Sequence, residues 1–380
     1  MLSKMDKSSC VKIFCTMVLS LAVLMLSYPL FRVEASDIHL SDILLHIQAM
    51  QTSMAEENWF SYTILYPLIY ICTQGSLKTE DLVNATVYLL TIFVVMKTLV
   101  TLFVLYDDGL SYFNSFIITL LIIFAVPIVN LWTPIYLGQI SPTIWHNPTA
   151  ILNIPFVILL FYFSIKFLKS LSMKDFIPVI ILMLLVVITK PNYFLAYMPV
   201  FLIALCYQLF IRQPHEGIGD RIAILVIAFL PVIILLFYEY MNVYGGDKES
   251  SIIIAPLLVW RIWSANIPLS ILVSVAFPLS VTVLYFREIK KDSKVVMAWA
   301  VFLVALLQAA LFAETGTRMH HGNFCWGAEI SLYILFLACG GYLMKQPKNR
   351  KRFYTMAILL LHFMSGLLYY YKIINGFGYA

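Results

Sequence analysis

Long apolar runs alternate with short polar breaks along the whole chain, and the runs have the length of bilayer crossings rather than of core strands. About eleven spanning helices are predicted, near positions 11–31, 83–106, 114–132, 149–166, 176–190, 193–212, 221–243, 266–286, 295–312, 326–344 and 353–371. Several runs are short for a span, 176–190 most of all, so tilted or broken helices are expected. No internal repeat and no low-complexity linker divides the pattern, so residues 1–380 read as one all-α transmembrane domain. The first run follows Lys4, Lys7 and Lys12 and precedes the cleavage-site-like Val33-Glu34-Ala35, but it is longer than a signal-peptide core. It reads as an uncleaved anchor with a cytoplasmic N-terminus.

Composition sharpens this picture. Of the 380 residues, 62% are hydrophobic and 12% charged, about half the charge of a soluble domain. A soluble enzyme, a disordered chain and a nucleic-acid binder are excluded. The net charge of +5 has a topological origin. With the N-terminus inside, 17 of the 25 basic residues fall in loops on the cytoplasmic side. Seven fall outside: Arg32, Lys78, Lys190, Lys248, Arg261, Arg318 and Lys372. Lys97 lies mid-span and is expected to pair with a carboxylate or a backbone carbonyl. His362 reads as a satisfied bundle histidine. The six cysteines show no CxxC and no zinc spacing, and a Cys72–Cys325 bridge on the outer side is an open alternative.

The chemistry-bearing residues collect in the outer loops. In the first (32–82), Ser36 or Asp37 is expected to cap a helix that carries His39, Asp42 and His46 on one face. Its apolar positions Ile43, Leu44 and Ile47 make it an interfacial amphipathic helix. The pattern suits a carboxylate base flanked by imidazoles, and equally a capped, wetted helix face. It also leaves a divalent metal open, although no cofactor is predicted. The apolar stretch Trp59–Thr73 holds Pro67 and reads as re-entrant or surface-lying. The second loop (133–148) contains Gly138-Gln139 and then Trp145, His146 and Asn147. Trp145 suits either the aromatic belt or a sugar-stacking platform. Lys190, beside Pro191, and Arg318 in the late loop (313–325) suit a lipid phosphate, with Arg261 as a third candidate. His320, His321 and Asn323 complete the polar set.

Asp42 with His46, Gly138-Gln139 and Lys190-Pro191 occur in that order along the chain. Together they resemble the membrane glycosyltransferases of the GT-C superfamily, above all the polyprenyl-phosphate-mannose-dependent branches with GQxN and KP elements. The likeness covers roughly the first 210 residues, and Ser141 stands where those branches carry asparagine. The resemblance implies inverting transfer from a polyprenyl-phosphate sugar to a glycan or lipid-linked acceptor. Asp42 would be the base, with Asp37 as its alternate. Lys190 and Arg318 would hold the phosphate, assisted by Arg261 or a histidine. Gln139, Trp145, His146 and Asn147 would shape the sugar or acceptor pocket. An O-antigen-type polymerase or ligase, a transporter or flippase of lipid-linked sugars, and an outer-face acyltransferase are the rival readings. The membrane is expected to be a bacterial inner membrane, with the site on its outer face.

Overall fold

The computed structural model describes residues 7–56, 63–129, 138–212, 217–244 and 251–377; the side chains of Lys7, Val243, Tyr244, Thr317, His320 and His321 also lie outside what is described. The first helix, α1 (Lys7–Glu34), is followed by two short ones, α2 (Ile43–Ala55) and α3 (Leu65–Cys72). Then come α4 (Thr79–Asp107), α5 (Tyr112–Ile123), α6 (Pro148–Ser170), α7 (Met173–Thr189), α8 (Asn192–Tyr207) and α9 (Ile218–Tyr244). The last group is α10 (Leu258–Trp263), α11 (Ile267–Leu284), α12 (Phe286–Ile289), α13 (Ser293–Leu311), α14 (Asn323–Lys345) and α15 (Arg350–Ile374). A π-turn, Gln208–Arg212, extends α8. One antiparallel pair, β1 (Ile252–Ile254) with β2 (Phe312–Glu314), sets Ile252 opposite Glu314 and is a small exception to the all-α build.

Nine helices among the described residues are long and apolar enough to cross a membrane, which makes this a polytopic membrane protein. Helices also stand at the other two expected positions, but α5 has 12 residues and α7 has 17. Side-chain caps start several of them: Ser111 accepts from the Asn114 amide, Asn147 from Ala150, Asn266 from Leu269 and Asn349 from Arg352.

In the expected span 114–132, of which residues 130–132 lie outside the described residues, the helix α5 ends at Ile123. Residues 125–129 instead run unwound between α11 and α15. The Val126 amide donates to the His362 carbonyl at 3.3 Å, Ile128 to the Val273 carbonyl at 3.1 Å and Val129 to Ser365 Oγ at 3.1 Å. His362 Nε2 accepts from the Phe277 amide at 3.3 Å, replacing the partner that α11 has given to Ile128. His362 is thus the bundle histidine the sequence suggests. Its ring repairs broken helix backbone where no water is at hand.

The second loop is corrected in the same way. Residues 139–147 are buried rather than displayed on a surface. Thr143 donates to the carbonyls of Ile122 and Ile123, closing the end of α5. Among the described residues, Lys97 meets neither the expected carboxylate nor a carbonyl. Its ammonium lies 4.2 Å from the centre of the Tyr333 ring and 3.5 Å from Thr143 Oγ1. A ring face and a hydroxyl offset part of the desolvation of a buried ammonium. Of the Trp59–Thr73 stretch, residues 59–62 lie outside the described residues; the rest, with α3, docks on the end of α7, where the Ile64 amide and the Thr63 hydroxyl donate to the carbonyls of Ile188 and Thr189.

α14 and α6 form the buried centre, while α1 and α9 are mostly exposed. Apolar burial does not drive helix association in lipid, so packing and interhelical hydrogen bonds hold the bundle. Thr101 with Tyr333 (2.7 Å) and Ser164 with Tyr197 (2.6 Å) are two such bonds. Four lysines gather at one end. Lys166 pairs with Asp107 at 3.0 Å, and Lys294 and Lys345 both pair with Asp108. Lys12 reaches Tyr106 at the same end.

Candidate active site at the opposite end of the bundle

The other end holds a cavity of about 1300 Å³. Chain breaks build its walls. Pro191 disfavours helix at the residue before it, so Lys190 is extended (φ −166°, ψ 106°) and α7 ends at Thr189. Asn153 Nδ2 donates to the freed Lys190 carbonyl at 2.8 Å. On the next wall Asn147 caps α6, with Pro148 in the first turn.

Asn147 joins the two charges that matter most. Its Oδ1 accepts from the Ala150 amide (2.9 Å), Thr149 Oγ1 (2.9 Å) and Lys190 Nζ (3.2 Å). That assigns Nδ2 to Asp42, whose Oδ2 accepts at 2.7 Å. Lys190 Nζ also donates to Thr149 Oγ1 at 3.1 Å and sits 4.9 Å from the Trp326 ring centre. Desolvation lowers its pKa to about 8, although Asp42 and Glu329 work in the opposite direction. His46 bonds through Nδ1 to the Tyr66 hydroxyl at 3.1 Å. Burial pushes its pKa down to about 4 against the pull of Asp42, so it is neutral at pH 7. Burial lowers His146 as well, and its ring packs 5.3 Å from that of Trp326.

The first outer loop differs in detail from expectation. α2 begins only at Ile43, so His39 precedes the helix and does not share a face with Asp42 and His46. Neither Ser36 nor Asp37 caps it; Asp37 Oδ1 instead accepts from the His39 amide in a turn. Asp42 keeps its place because its amide donates to the His146 carbonyl at 2.9 Å.

Asp37, Asp42, His46, Gln139, His146, Asn147, Lys190, Arg318 and Asn323 all line this one cavity. Two predicted site residues do not. Trp145 is buried against Phe124 and Tyr370, as core rather than a platform. Arg261 is exposed on α10 and lies outside the lining, whereas its neighbours Trp260 and Trp263 line it. His320 and His321 lie outside the described side chains. Cys72 and Cys325 are free thiols.

The sequence did not single out Glu314 or assign Glu329 a role. Glu314 accepts from Arg318 Nε at 3.2 Å and from Asn323 Nδ2 at 2.5 Å, so the arginine is already engaged. Glu329, on α14, is 9% exposed, and its Oε2 has no hydrogen-bond partner among the described residues. Gly138 holds the Gln139 turn with φ +86°, where a Cβ would collide with the Trp263 carbonyl. Trp260 Nε1 closes that turn by donating to the Gly138 carbonyl at 2.9 Å.

Fold and site together define a polytopic membrane protein with a buried acid, amide and lysine array at one end of its bundle. No protein-family model matches the chain, and no curated protein matches it either.

Proposed function

We propose that the chain is an inverting glycosyltransferase of GT-C type. It would move a sugar from a polyprenyl-phosphate donor to a glycan or lipid-linked acceptor. One observation carries this reading: Asp42, Gln139, Lys190 and Arg318, far apart in sequence, line one cavity at the end of the bundle opposite the paired lysines. A general base, an amide and cations in one cavity are what displacement at an anomeric carbon from a phosphate needs.

Asp42 takes the proton of the acceptor hydroxyl as its oxygen attacks the anomeric carbon. The bond from that carbon to the phosphate oxygen breaks on the opposite side, and the polyprenyl phosphate leaves with the electron pair. Lys190 is the main cation for the departing phosphate, since Glu314 holds Arg318. Asn147 keeps base and cation a fixed distance apart. No second nucleophilic carboxylate takes part, so the configuration inverts.

In this reading the lysine-rich end faces the cytoplasm and the cavity opens toward the outer face of a bacterial inner membrane. The segment between α13 and α14 spans only residues 312–322, which speaks against the polymerase or ligase reading with its large late loop.

The test is transfer from defined polyprenyl-phosphate sugars by purified protein in nanodiscs. Asp42→Asn should lower the rate by about 10²–10⁴-fold, the usual contribution of a positioned base, without changing the melting temperature. Unchanged transfer by that variant removes the assignment.

A further inference from the structure

The charges lining the cavity do not suit an anion alone. Five carboxyl side chains, Asp37, Asp42, Glu239, Glu314 and Glu329, face two cations, Lys190 and Arg318. One of those cations is tied to Glu314. Carboxyl groups thus outnumber cations along the lining, so a ligand that brings a cationic group as well as a phosphate suits it better than a phosphate alone. Two of the acids are already served: Asn147 donates to Asp42, and Arg318 and Asn323 donate to Glu314.

Glu329 differs. It is buried to nine-tenths, lines the cavity, lies within electrostatic reach of Lys190 and Asp42, and has an oxygen without a donor among the described residues. It stands six residues into α14 from Asn323, about 9 Å further along the helix axis. One turn separates it from Trp326, whose ring carries the Lys190 ammonium. A buried carboxyl oxygen without a donor is satisfied by a proton, a metal ion or a ligand donor. No group of three or more His, Cys, Asp or Glu residues among those described is arranged to hold a metal.

We propose that the cavity recognises a ligand bearing a primary ammonium group, and that Glu329 receives it. The inference rests on the cavity being the substrate site, and it names the substrate class: an amino sugar, carried by the donor or presented by the acceptor. A zwitterionic donor balances the site, with its phosphate at Lys190 and its ammonium at Glu329.

The test measures binding, so that it does not depend on transfer. The full-length protein in nanodiscs is titrated with short-chain polyprenyl phosphate carrying glucosamine, N-acetylglucosamine or glucose. A second arm uses octyl glucosaminide against octyl glucoside as acceptor mimics. One arm should show the amine bound at least about tenfold more tightly than its acetylated or hydroxyl counterpart, which is the contribution of one charge-assisted hydrogen bond. The arm that shows it identifies the source of the amine. Glu329→Gln should reduce that preference to near unity. The preference of the unmutated protein is read independently, so a variant that fails to fold leaves the inference testable. Equal binding of the amine and its acetylated or hydroxyl counterpart in both arms overturns it. So does a preference that Glu329→Gln leaves intact, or binding that requires Mg²⁺ and is lost with a chelator. Amine preference without transfer would keep this inference and remove the glycosyltransferase reading; transfer without amine preference would do the reverse.

Discussion

Asn147 shows how much one side chain decides. Its carbonyl oxygen caps α6 and meets Lys190, and its amide nitrogen holds Asp42. Two substitutions separate these roles. Asn147→Ala removes cap and bridge together and should cost about 1 kcal/mol of stability, read as a lower melting temperature. Asn147→Ser keeps a capping oxygen but cannot reach both charges, so it should melt close to the unmutated protein while losing transfer. Lys190 gives a pH prediction. With its pKa lowered to about 8, it is charged below that pH and neutral above it. Donor affinity should therefore fall as pH rises through about 8. Lys190→Arg, whose side chain stays charged, should remove that fall in a measurement of donor KM from pH 7 to 9. His46, neutral above its value of about 4, contributes no charge in this range.

At the scale of elements, backbone breaks place the chemistry. Pro191 turns Lys190 out of α7, and Gly138 carries the Gln139 turn beneath α10. Gly138→Ala combines a left-handed φ with a collision against the Trp263 carbonyl, so it should destabilise by about 1–3 kcal/mol. Thermal unfolding in detergent measures this, and a melting temperature equal to that of the unmutated protein would contradict it. The unwound 125–129 segment was only partly legible in the sequence. Pro127 marks a helix break there, since it has no N–H and disfavours helix at Val126, but an apolar run can also carry a kinked helix through a proline, and the partners offered by α11 and α15 are what let this one unwind in the bundle. Trp145 misled for a related reason. A tryptophan in a polar, turn-rich stretch reads as interfacial, but this loop folds inward and buries it.

For the whole molecule, the two ends differ in charge. The paired lysines lie at one end and the acidic cavity at the other. With the six native cysteines replaced by serine, Ser172→Cys, between α6 and α7, should be shielded from a membrane-impermeant maleimide in intact cells, while Ser76→Cys, before α4, should react. The opposite labelling pattern would invert the proposed orientation.

The sequence alone determined the bundle: helices stand at every expected span position, because apolar runs of bilayer length have one stable form in lipid. It also brought out Asp42, Gln139 and Lys190, since polar residues stand out against an apolar background. Tertiary structure decided which of the polar residues meet. Charge along the chain suggests a side of the membrane, but not depth, nor the direction a residue takes around its helix. That is why Arg261 lies outside the cavity, Trp145 is core, and Glu329 lines the cavity with an oxygen that has no hydrogen-bond partner among the described residues.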